Sequence, residues 1–319
     1  MLLVRSDITM GNYTLDFVNE VSINSSWKNL TDTLSLKLPR KVFANKDSNK
    51  LIQNIVKRGD QVSIQLGYDD KITQRFAGYI AYIKASTPVE LQCEDEMFNL
   101  KQKSVTPKSW KSCTVDDVLK YMGITNYTTF GTIDLHTFQI DAKMTSPAKV
   151  LEKIKDIYGL YSFFRKGKLV VGKPYDVTTA KKFKFQFQYD IISHDLEYRN
   201  KDEVRIKVKA ISNMKDGKKK HAEVGDKDGE EHTLNYYNID KPTLEKLALS
   251  QLDKLKYTGY RGKFVTFGLP TVSHGDIITI EDPEYPEHNG EFFCDSVKTT
   301  LSISDGLRQE IELGPKATA

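Results

Sequence analysis

Residue types that carry out catalysis are present in this chain, but their spacing favours no particular chemistry. The six histidines, at positions 136, 194, 221, 232, 274 and 288, form no HxH, HExxH or HxxxH pattern. Such spacing is what places two histidines on one side of a metal ion. The chain also lacks the GxSxG, P-loop and GxGxxG motifs. We therefore expect no catalytic residue, no metal and no cofactor.

Acidic pairs leave one enzymatic alternative. A peptidoglycan hydrolase needs only two carboxylates at a suitable separation, and Glu94-Asp95-Glu96 and Glu281-Asp282 are candidates. These groups lie at the ends of predicted strands, where Asp and Glu favour turns. The turn interpretation is preferred, and the hydrolase is kept as an alternative.

A basic cluster gives a second alternative. Lys218-Lys219-Lys220 precedes Tyr236 and Tyr237, and an OB-like barrel with such residues would bind single-stranded nucleic acid. However, acidic runs follow the lysines, and lysine-rich turns are usually solvated surface. The chain has 47 basic and 43 acidic residues with a net charge of +4, so its overall charge does not demand a nucleic-acid partner.

A short repeat is the most informative feature of the sequence. Arg58-Gly59-Asp60 matches an integrin-binding tripeptide, but its Gly-Asp part recurs after His274 as Gly275-Asp276. Glycine supplies the positive φ of a tight turn, and aspartate bonds back to nearby amides. We therefore interpret both as turns. The predicted structural turn residues are Gly59, Asp60, Gly78, Gly275, Asp276 and Gly290.

The segments around these turns are also repeated. Strand-like stretches at 62–66, 76–83 and 89–93 correspond to 278–280, 290–297 and 307–313, all with period-two alternation. Upstream, 21–38 corresponds to 192–208, so that Val204–Val208 stands for Leu34–Leu38. Antiparallel meanders of this length usually close on themselves because open edges aggregate. The pattern predicts a β-rich α+β fold with two similar small antiparallel β-barrels.

Helical signals separate and interrupt the two copies. Thr114 with Asp117 begins one helix, Ser146-Pro147 begins a second that ends at Gly159, and Asp240 begins a third. We predict a first barrel at 1–103, an α/β insert at 104–182 and a second barrel at 183–319. A helical insertion at about 240–257 interrupts the second barrel.

Composition limits the cellular setting. Charged residues follow Met1–Val4 directly, and no later stretch approaches the length needed to span a membrane. Cys93, Cys113 and Cys294 are odd in number and contain no CxxC, so we expect buried free thiols. The sequence predicts folding in a cytoplasm without a membrane-spanning segment.

The order of these segments resembles one family over nearly the whole chain. It is similar to the phage late control D, or tail hub, proteins, which are related to the hub part of type VI secretion spike proteins. The stretches that carry the resemblance are Leu34–Pro39, Phe76–Ile80, Cys93–Asp95, Trp110, Thr114–Tyr121, Val150–Gly159, Gly167–Leu169, Gly268–Pro270, Gly275-Asp276 and Gly290–Phe293.

The resemblance implies a structural role and a set of partners. It implies a homotrimer in which six barrels form a pseudo-sixfold ring between a tail tube protein and a spike protein. DNA or an effector would pass through the lumen without specific binding. The location would be a virion tail or baseplate, assembled in the bacterial cytoplasm. Because the chain ends soon after Leu313-Gly314, we expect no fused lysozyme or spike and no enzymatic activity.

Overall fold

Strands dominate the structure, and five α-helices and one short 3-10 helix (Pro286–His288) accompany them in the described part of the chain. The computed structural model describes residues 3–15, 17–44, 48–172, 174–214 and 216–317. The fold is α+β and β-rich, as the alternating pattern predicts. Three groups of elements follow one another along the chain: a first β-module, an α/β insert and a second β-module.

The first β-module comprises β1 (Val4–Met10), β2 (Tyr13–Leu15), β3 (Glu20–Ser26), β4 (Thr33–Leu38), β5 (Lys41–Ala44), β6 (Ser48–Leu51), α1 (Ile52–Ile55), β7 (Gln61–Tyr68), β8 (Lys71–Lys84), β9 (Val89–Glu94) and α2 (Met97–Gln102). The α/β insert comprises β10 (Lys108–Thr114), α3 (Val115–Tyr121), β11 (Tyr127–Thr129), β12 (Asp134–Ile140), α4 (Pro147–Tyr158), β13 (Tyr161–Arg165) and β14 (Lys168–Gly172).

The second β-module has an insertion of its own. Its strands are β15 (Lys182–Gln186), β16 (Ile191–His194), β17 (Glu197–Arg199), β21 (Gly259–Arg261), β22 (Lys263–Phe267), β23 (Ile277–Glu281), β24 (Gly290–Ser302) and β25 (Gly306–Lys316). Between β17 and β21 lies the tip domain, formed by β18 (Ile206–Asn213), β19 (Lys219–Gly225), β20 (Glu230–Tyr237) and α5 (Lys241–Leu255).

One sheet connects the two β-modules. Pairing among the described residues joins 13 strands, 11 of them in the order β16-β22-β25-β24-β3-β4-β9-β8-β7-β1-β2, with β23 and β15 attached to β24. The link is β3, which pairs with β4 of its own module and with β24 of the other. Within the described residues, the strand order traces an open path rather than two separate closed barrels. The modules are therefore hydrogen-bonded to each other.

The two modules share a frame but differ at the first strand, which pairs antiparallel with β7 in one module (β1) and parallel with β23 in the other (β15), and at one hairpin. In the first module β3 and β4 form a hairpin whose turn is residues 27–32. In the second module β16 and β17 pair with β22 and β21. The expectation that Val204–Val208 takes the place of Leu34–Leu38 is therefore wrong. Ile206–Asn213 pairs instead with β19 and β20 inside the tip domain, because hydrophobic alternation alone does not specify a partner strand.

The α/β insert has its own core, built largely as its helix signals indicate. Thr114 and Asp117 form a reciprocal capping box at the start of α3. Helix α4 ends at Gly159, which has a φ of 67° and lies in the left-handed region. Ser146 precedes α4 but its side chain makes no cap hydrogen bond. Val150, Leu151 and Ile154 are buried on one face of α4.

The tip domain packs as a small sheet under one helix. Asp240 caps α5 by accepting a hydrogen bond from the Thr243 amide. Leu244 and Ala248 are buried against β18 and β19 together with Val208 and Ala210. On its other side, β20 contacts α4, and Asn213 donates a side-chain hydrogen bond to the Ile157 carbonyl. The tip domain is thus attached to the insert as well as to the second β-module.

Candidate assembly interface

The Gly-Asp turns form two corners with the same hydrogen bonds. At the first, Gly59 has a φ of 90°, its amide donates to Ile80, and the Asp60 carboxylate accepts from the Lys57 amide at 2.8 Å. At the second, Gly275 has a φ of 86°, its amide donates to Cys294, and the Asp276 carboxylate accepts from the Ser273 amide at 2.9 Å. Each corner fixes the start of β7 or β23 against the following long strand.

The other two turn residues of the sequence prediction lie inside or at the start of strands. Gly78 pairs with Val62 in the β7–β8 ladder, and a Cβ atom there would lie 2.1 Å from the Glu94 carbonyl oxygen. Gly290 begins β24, and a Cβ atom there would lie 3.0 Å from the Phe292 ring. Gly78 therefore serves close strand packing rather than a turn.

A register shift occurs at the same place in both modules. In β8 it lies between Ile80 and Tyr82, which pair with Cys93 and Gln92 of β9. In β24 it lies between Cys294 and Ser296, which pair with Leu313 and Glu312 of β25. Each long strand thus has one extra residue, Ala81 or Asp295. An extra residue bends a strand and increases its twist, so both strands leave one neighbour and continue beside another.

Asp295 joins the two modules where β3 meets β24. Trp27, in the turn after β3, donates its indole N–H to the Asp295 carboxylate at 3.3 Å, and Lys28 Nζ lies 2.7 Å from the other oxygen. The Tyr175 hydroxyl also donates to this carboxylate. Lys28 further contacts Glu312 at 3.1 Å. These three partners offset the free-energy cost of burying the Asp295 carboxylate.

The charges at this junction stabilise one another. Burial alone would lower the pKa of Lys28, but its contacts with Asp295 and Glu312 outweigh burial and raise it. Burial also opposes ionisation of Glu312, yet the Ser296 hydroxyl and Lys28 hold its pKa below the usual value. Both groups are therefore charged at neutral pH. The junction between β3 and β24 is an ionic contact as well as a strand pair.

A pair of buried carboxyls lies beneath the same turn. Asp95 accepts hydrogen bonds from the amides of Asp32 and Met97, and Asp32 accepts from Ser25 and Ser26. Burial raises the pKa of Asp32 to about 6, and burial together with the Asp32 charge raises that of Asp95 to about 7. The first module therefore contains two acids that retain protons well above their ordinary range.

One face of the sheet is polar across both modules. The outward side chains of β22, β25, β24, β3, β4, β9 and β8 lie in cross-strand rows, which we call the polar face. One row runs through Tyr82, Gln92, Ser35, Ser22, Thr300 and Arg308. The opposite side of these strands supplies buried residues such as Leu36 and Leu91. The polar face is continuous because β3 bridges the modules.

Charges on the polar face balance. Among the described residues, its rows contain five cations and five anions: Lys37, Lys84, Lys263, Lys298 and Arg308, with Glu20, Glu90, Glu94, Glu310 and Glu312. Each of these glutamates lies 2.7 to 3.8 Å from a lysine, which is Lys37, Lys84 or Lys263 of the same rows, or Lys28 or Lys101 beside them. A surface of paired opposite charges attracts neither polyanions nor polycations strongly.

Among the strand edges without a strand partner in the described part of the chain, two lie in different β-modules and carry exposed large side chains. β16 is the last strand of the sheet order, and Ile192 is 45% exposed. In the first module β8 extends past its pairing with β7, and Tyr82 is 60% exposed. Arg58 donates to the Ala81 carbonyl at 3.1 Å along that edge. Arg58 thus caps an edge and does not form a recognition loop with Gly59 and Asp60.

The carboxylates considered for hydrolysis are engaged in structural contacts. Glu94 pairs with Lys101 and Glu96 accepts from Asn99 and Tyr79, while Asp95 is buried. Glu281 pairs with Lys184 at 2.7 Å, and Asp282 accepts from Tyr260. Glu94 and Glu281 are thus held in ion pairs, Asp95 and Asp282 in hydrogen bonds. The contacts favour the turn and strand-end interpretation.

The aromatic residues considered for nucleic-acid binding lie in the same small sheet as Lys219 and Lys220, but their rings are engaged in packing. Lys218 lies in the turn between β18 and β19 and pairs with Asp216. Tyr236 packs partly buried into the tip-domain core, and the Tyr237 ring contacts Tyr158 and stacks on His136. Stacking of bases requires exposed aromatic faces beside the cations. Both tyrosines instead use their rings for packing.

Two absences accompany these contacts. Among the residues that the structure describes, no three His, Cys, Asp or Glu side chains are grouped as metal ligands would be. Within the same residues, helices long and apolar enough to cross a membrane are not found. Cys93, Cys113 and Cys294 are free and buried, as predicted from their number and spacing.

The sequence patterns missed the residues that connect the modules. Trp27, Lys28 and Tyr175 carry no periodic or motif signal, and Asp295 appeared only as part of a strand. Their roles depend on contacts between segments more than one hundred residues apart. A local pattern contains no information on such pairs.

Known structures share this fold over nearly its whole length. A tail protein from Neisseria meningitidis matches with a TM-score of 0.67 at 16% identity, covering 99% of this chain and 97% of that one. The 43 kDa tail protein of prophage MuSo2 from Shewanella oneidensis matches with a TM-score of 0.63 at 13% identity, covering 97% and 96%. An Escherichia coli component of the type VI secretion system matches with a TM-score of 0.59 at 7% identity, covering 97% and 77%.

No protein-family model and no curated protein sequence matches the chain. At these identities the structural matches establish the fold, and they agree with the resemblance that the order of the sequence segments indicates. The protein therefore has the fold of phage tail proteins and of a related type VI secretion component.

Proposed function

We propose that the protein is a structural hub in the tail or baseplate of a phage or phage-like injection particle. Three chains form a ring that contains six β-modules and joins a sixfold tail tube to a threefold spike. The observation that carries the proposal is the repeated frame, with equivalent corners at Gly59 and Gly275 and equivalent extra residues at Ala81 and Asp295. Two equivalent modules in each of three chains give the pseudo-sixfold arrangement.

In this ring each β-module curls into one barrel-like unit, and the polar face lines the lumen. The face is continuous across the chain, its glutamates are paired with lysines, and the exposed aromatic side chains Tyr82 and Phe267 lie at the two ends of one cross-strand row. DNA or an effector protein passes such a wall without being held, because neither charge sign prevails. The protein acts by geometry and not by turnover of a substrate, and it resides in the virion tail or baseplate.

The mass in solution tests the trimer. Sedimentation equilibrium of the isolated chain should give about three times the 36.4 kDa of one chain. Electron micrographs of the same sample should show rings with six similar units around a central opening. A protein that stays monomeric up to high concentration, and that binds neither tube nor spike proteins of its own genome, contradicts the proposal.

Activity assays test the absence of catalysis. A zymogram on peptidoglycan should show no clearing, and binding to single-stranded DNA should be undetectable at physiological salt. A clear zone that one carboxylate substitution abolishes would instead assign the hydrolase activity. Retention on DNA that falls steeply with salt would assign the nucleic-acid alternative.

A further inference from the structure

The contact between the two β-modules within one chain serves as a template for a contact between chains. β3 of the first module pairs antiparallel with β24 of the second, from Ser26 opposite Ser296 to Glu20 opposite Ser302. We call this pairing the internal seam. A ring of alternating first and second modules needs a second kind of seam, between the second module of one chain and the first module of the next.

The equivalent of the β24 edge lies on β8. The register shifts at Ala81 and Asp295 occupy equivalent positions, because Tyr82 follows one and Ser296 follows the other. Tyr82 is therefore the counterpart of Ser296. The backbone carbonyls of the two extra residues also accept similar hydrogen bonds. The Ser26 hydroxyl donates to the Asp295 carbonyl at 3.3 Å, and the Arg58 guanidinium donates to the Ala81 carbonyl at 3.1 Å.

The equivalent of β3 is the edge formed by β16 and β17. Asn24 pairs with Thr33 in the first module, and Glu197 pairs with Arg261 at the corresponding place of the second. Two residues further along each strand, Ser26 of the first module corresponds to Arg199 of the second. Glu197 and Arg199 are exposed on this edge.

We infer that residues 197–199 of one chain pair antiparallel with residues 82–84 of a second copy of this chain, with Arg199 opposite Tyr82 and Glu197 opposite Lys84. The inference rests on the proposed trimer and specifies its seam. In the internal seam Ser26 lies opposite Ser296 and Asn24 lies opposite Lys298. Replacing each of these residues by its counterpart in the other module gives the register of the seam between chains.

The chemistry of the two edges is complementary in this register. Arg199 opposite Tyr82 places a guanidinium beside an aromatic ring, and Glu197 opposite Lys84 forms a cross-strand ion pair. In the single chain Arg199 pairs with Glu197 of its own strand, and Lys84 lies 3.8 Å from Glu90. Both of these intrachain ion pairs lie at the surface. Breaking them to form the contacts between chains therefore requires little free energy.

The seam between chains is shorter than the internal one. The internal seam spans seven residue pairs, whereas β8 ends at Lys84 and Pro88 soon follows. Proline cannot donate to a strand ladder, so it ends the pairing. The ring therefore opens at the three seams between chains before the modules of one chain separate.

Charge exchange tests the register. Lys84→Glu and Glu197→Lys are each compared with the double variant. Lys184→Glu serves as the control, because Lys184 is an exposed lysine that pairs with Glu281 within the second β-module. Association is measured by sedimentation equilibrium over a concentration series, and circular dichroism verifies folding. Each single variant should weaken trimer formation about tenfold, because it places like charges opposite each other, and the double variant should regain most of the loss.

The outcomes separate the inference from the function. A wild-type trimer that none of the variants changes overturns this register and leaves the ring intact. Single variants that weaken association without recovery in the double variant also contradict the pairing of Lys84 with Glu197. A wild-type chain that is monomeric throughout contradicts the ring and, with it, the seam.

Discussion

The two β-modules repeat one backbone frame in different surroundings. Gly59 and Gly275 have nearly the same φ and the same hydrogen bonds. A Cβ atom on Gly59 would meet nothing within 4 Å, whereas one on Gly275 would lie 2.2 Å from the Arg165 guanidinium of the insert. The repeated sequence thus specifies a corner, and the neighbouring segments decide how much change that corner tolerates.

The hairpin turns show the same contrast on a larger scale. In the first module the turn at 27–32 packs Leu30 against the insert and places Lys28 beside Asp295. In the second module the corresponding position holds the tip domain, which packs on α4. The two equivalent connections therefore have different roles. The turn at 27–32 contacts the junction between the modules, whereas the tip domain adds a new surface.

The largest effect is expected at a strand glycine. Gly78→Ala places a methyl group 2.1 Å from the Glu94 carbonyl oxygen, so β8 and β9 must separate. We expect a loss of about 4 kcal/mol in unfolding free energy. In Gly290→Ala the methyl group meets only the Phe292 ring at 3.0 Å, and the expected loss is about 1 kcal/mol. Urea unfolding followed by tryptophan fluorescence measures both, and equal losses would contradict the contrast.

The two corners should respond unequally to the same substitution. Gly275→Ala strains a positive φ and also displaces Arg165, which donates to the His274 carbonyl at 2.8 Å. We expect a loss of about 3 kcal/mol. Gly59→Ala adds only the backbone strain, about 1 kcal/mol. Matching losses in thermal unfolding of the two variants would show that the insert does not restrain the second corner.

The acidic pair of the first module should make stability depend on pH. The folded-state pKa values of Asp32 and Asp95, about 6 and 7, lie above the ordinary value of 3.8. Protonation therefore favours the folded state. The contribution is complete below about pH 4 and is lost as pH rises through 6 and 7. For Asp32 alone, the rise from 3.8 to about 6 corresponds to a fall of about 3 kcal/mol in the unfolding free energy across this range.

A matched variant isolates this pair. In Asp32→Asn the amide oxygen still accepts from the Ser26 amide and the amino group donates to the Ser25 hydroxyl. The corresponding position of the second module is Tyr260, which carries no such charge. The variant should reduce the dependence on pH, while the burial of Asp95 maintains the remainder and unfolding at acidic pH stays close to wild type. An unchanged slope would assign the effect to other groups.

The smallest effects concern two lysines that contact glutamates of the polar face. Lys28→Met leaves Asp295 without its cation, and the Asp295 side chain is only 10% exposed, so we expect a loss of about 2 kcal/mol. Lys263→Met removes an exposed contact with Glu310 at 3.2 Å, and we expect a much smaller loss because exposed ion pairs contribute little to stability. Both are measured by chemical unfolding, and similar losses would show that burial of Asp295 does not matter.

Much of the local structure was predictable. The capping box at Thr114, the left-handed Gly159 and the Asp240 cap appear where the residues indicate. These features depend on residues within one helical turn, so a local pattern contains the necessary information. The corner glycines follow the same principle.

Strand partners were not predictable in the same way. The stretch at 204–208 alternates like a strand of the repeat, yet it pairs within the tip domain. β3 was expected inside one barrel but also pairs with β24. Alternation specifies which side of a strand is buried and leaves its neighbour open.

By itself the sequence determined the repeat, the two Gly-Asp corners, the helix ends and the β-rich class, because each depends on residues close in the chain. Only the tertiary structure decided that the two modules share one sheet and that one polar face crosses both modules. It also decided that the Asp295 carboxylate accepts hydrogen bonds from Trp27 and Tyr175 and pairs with Lys28. The physical reason is that hydrogen bonding and charge pairing between distant segments form only when the chain has brought their edges together.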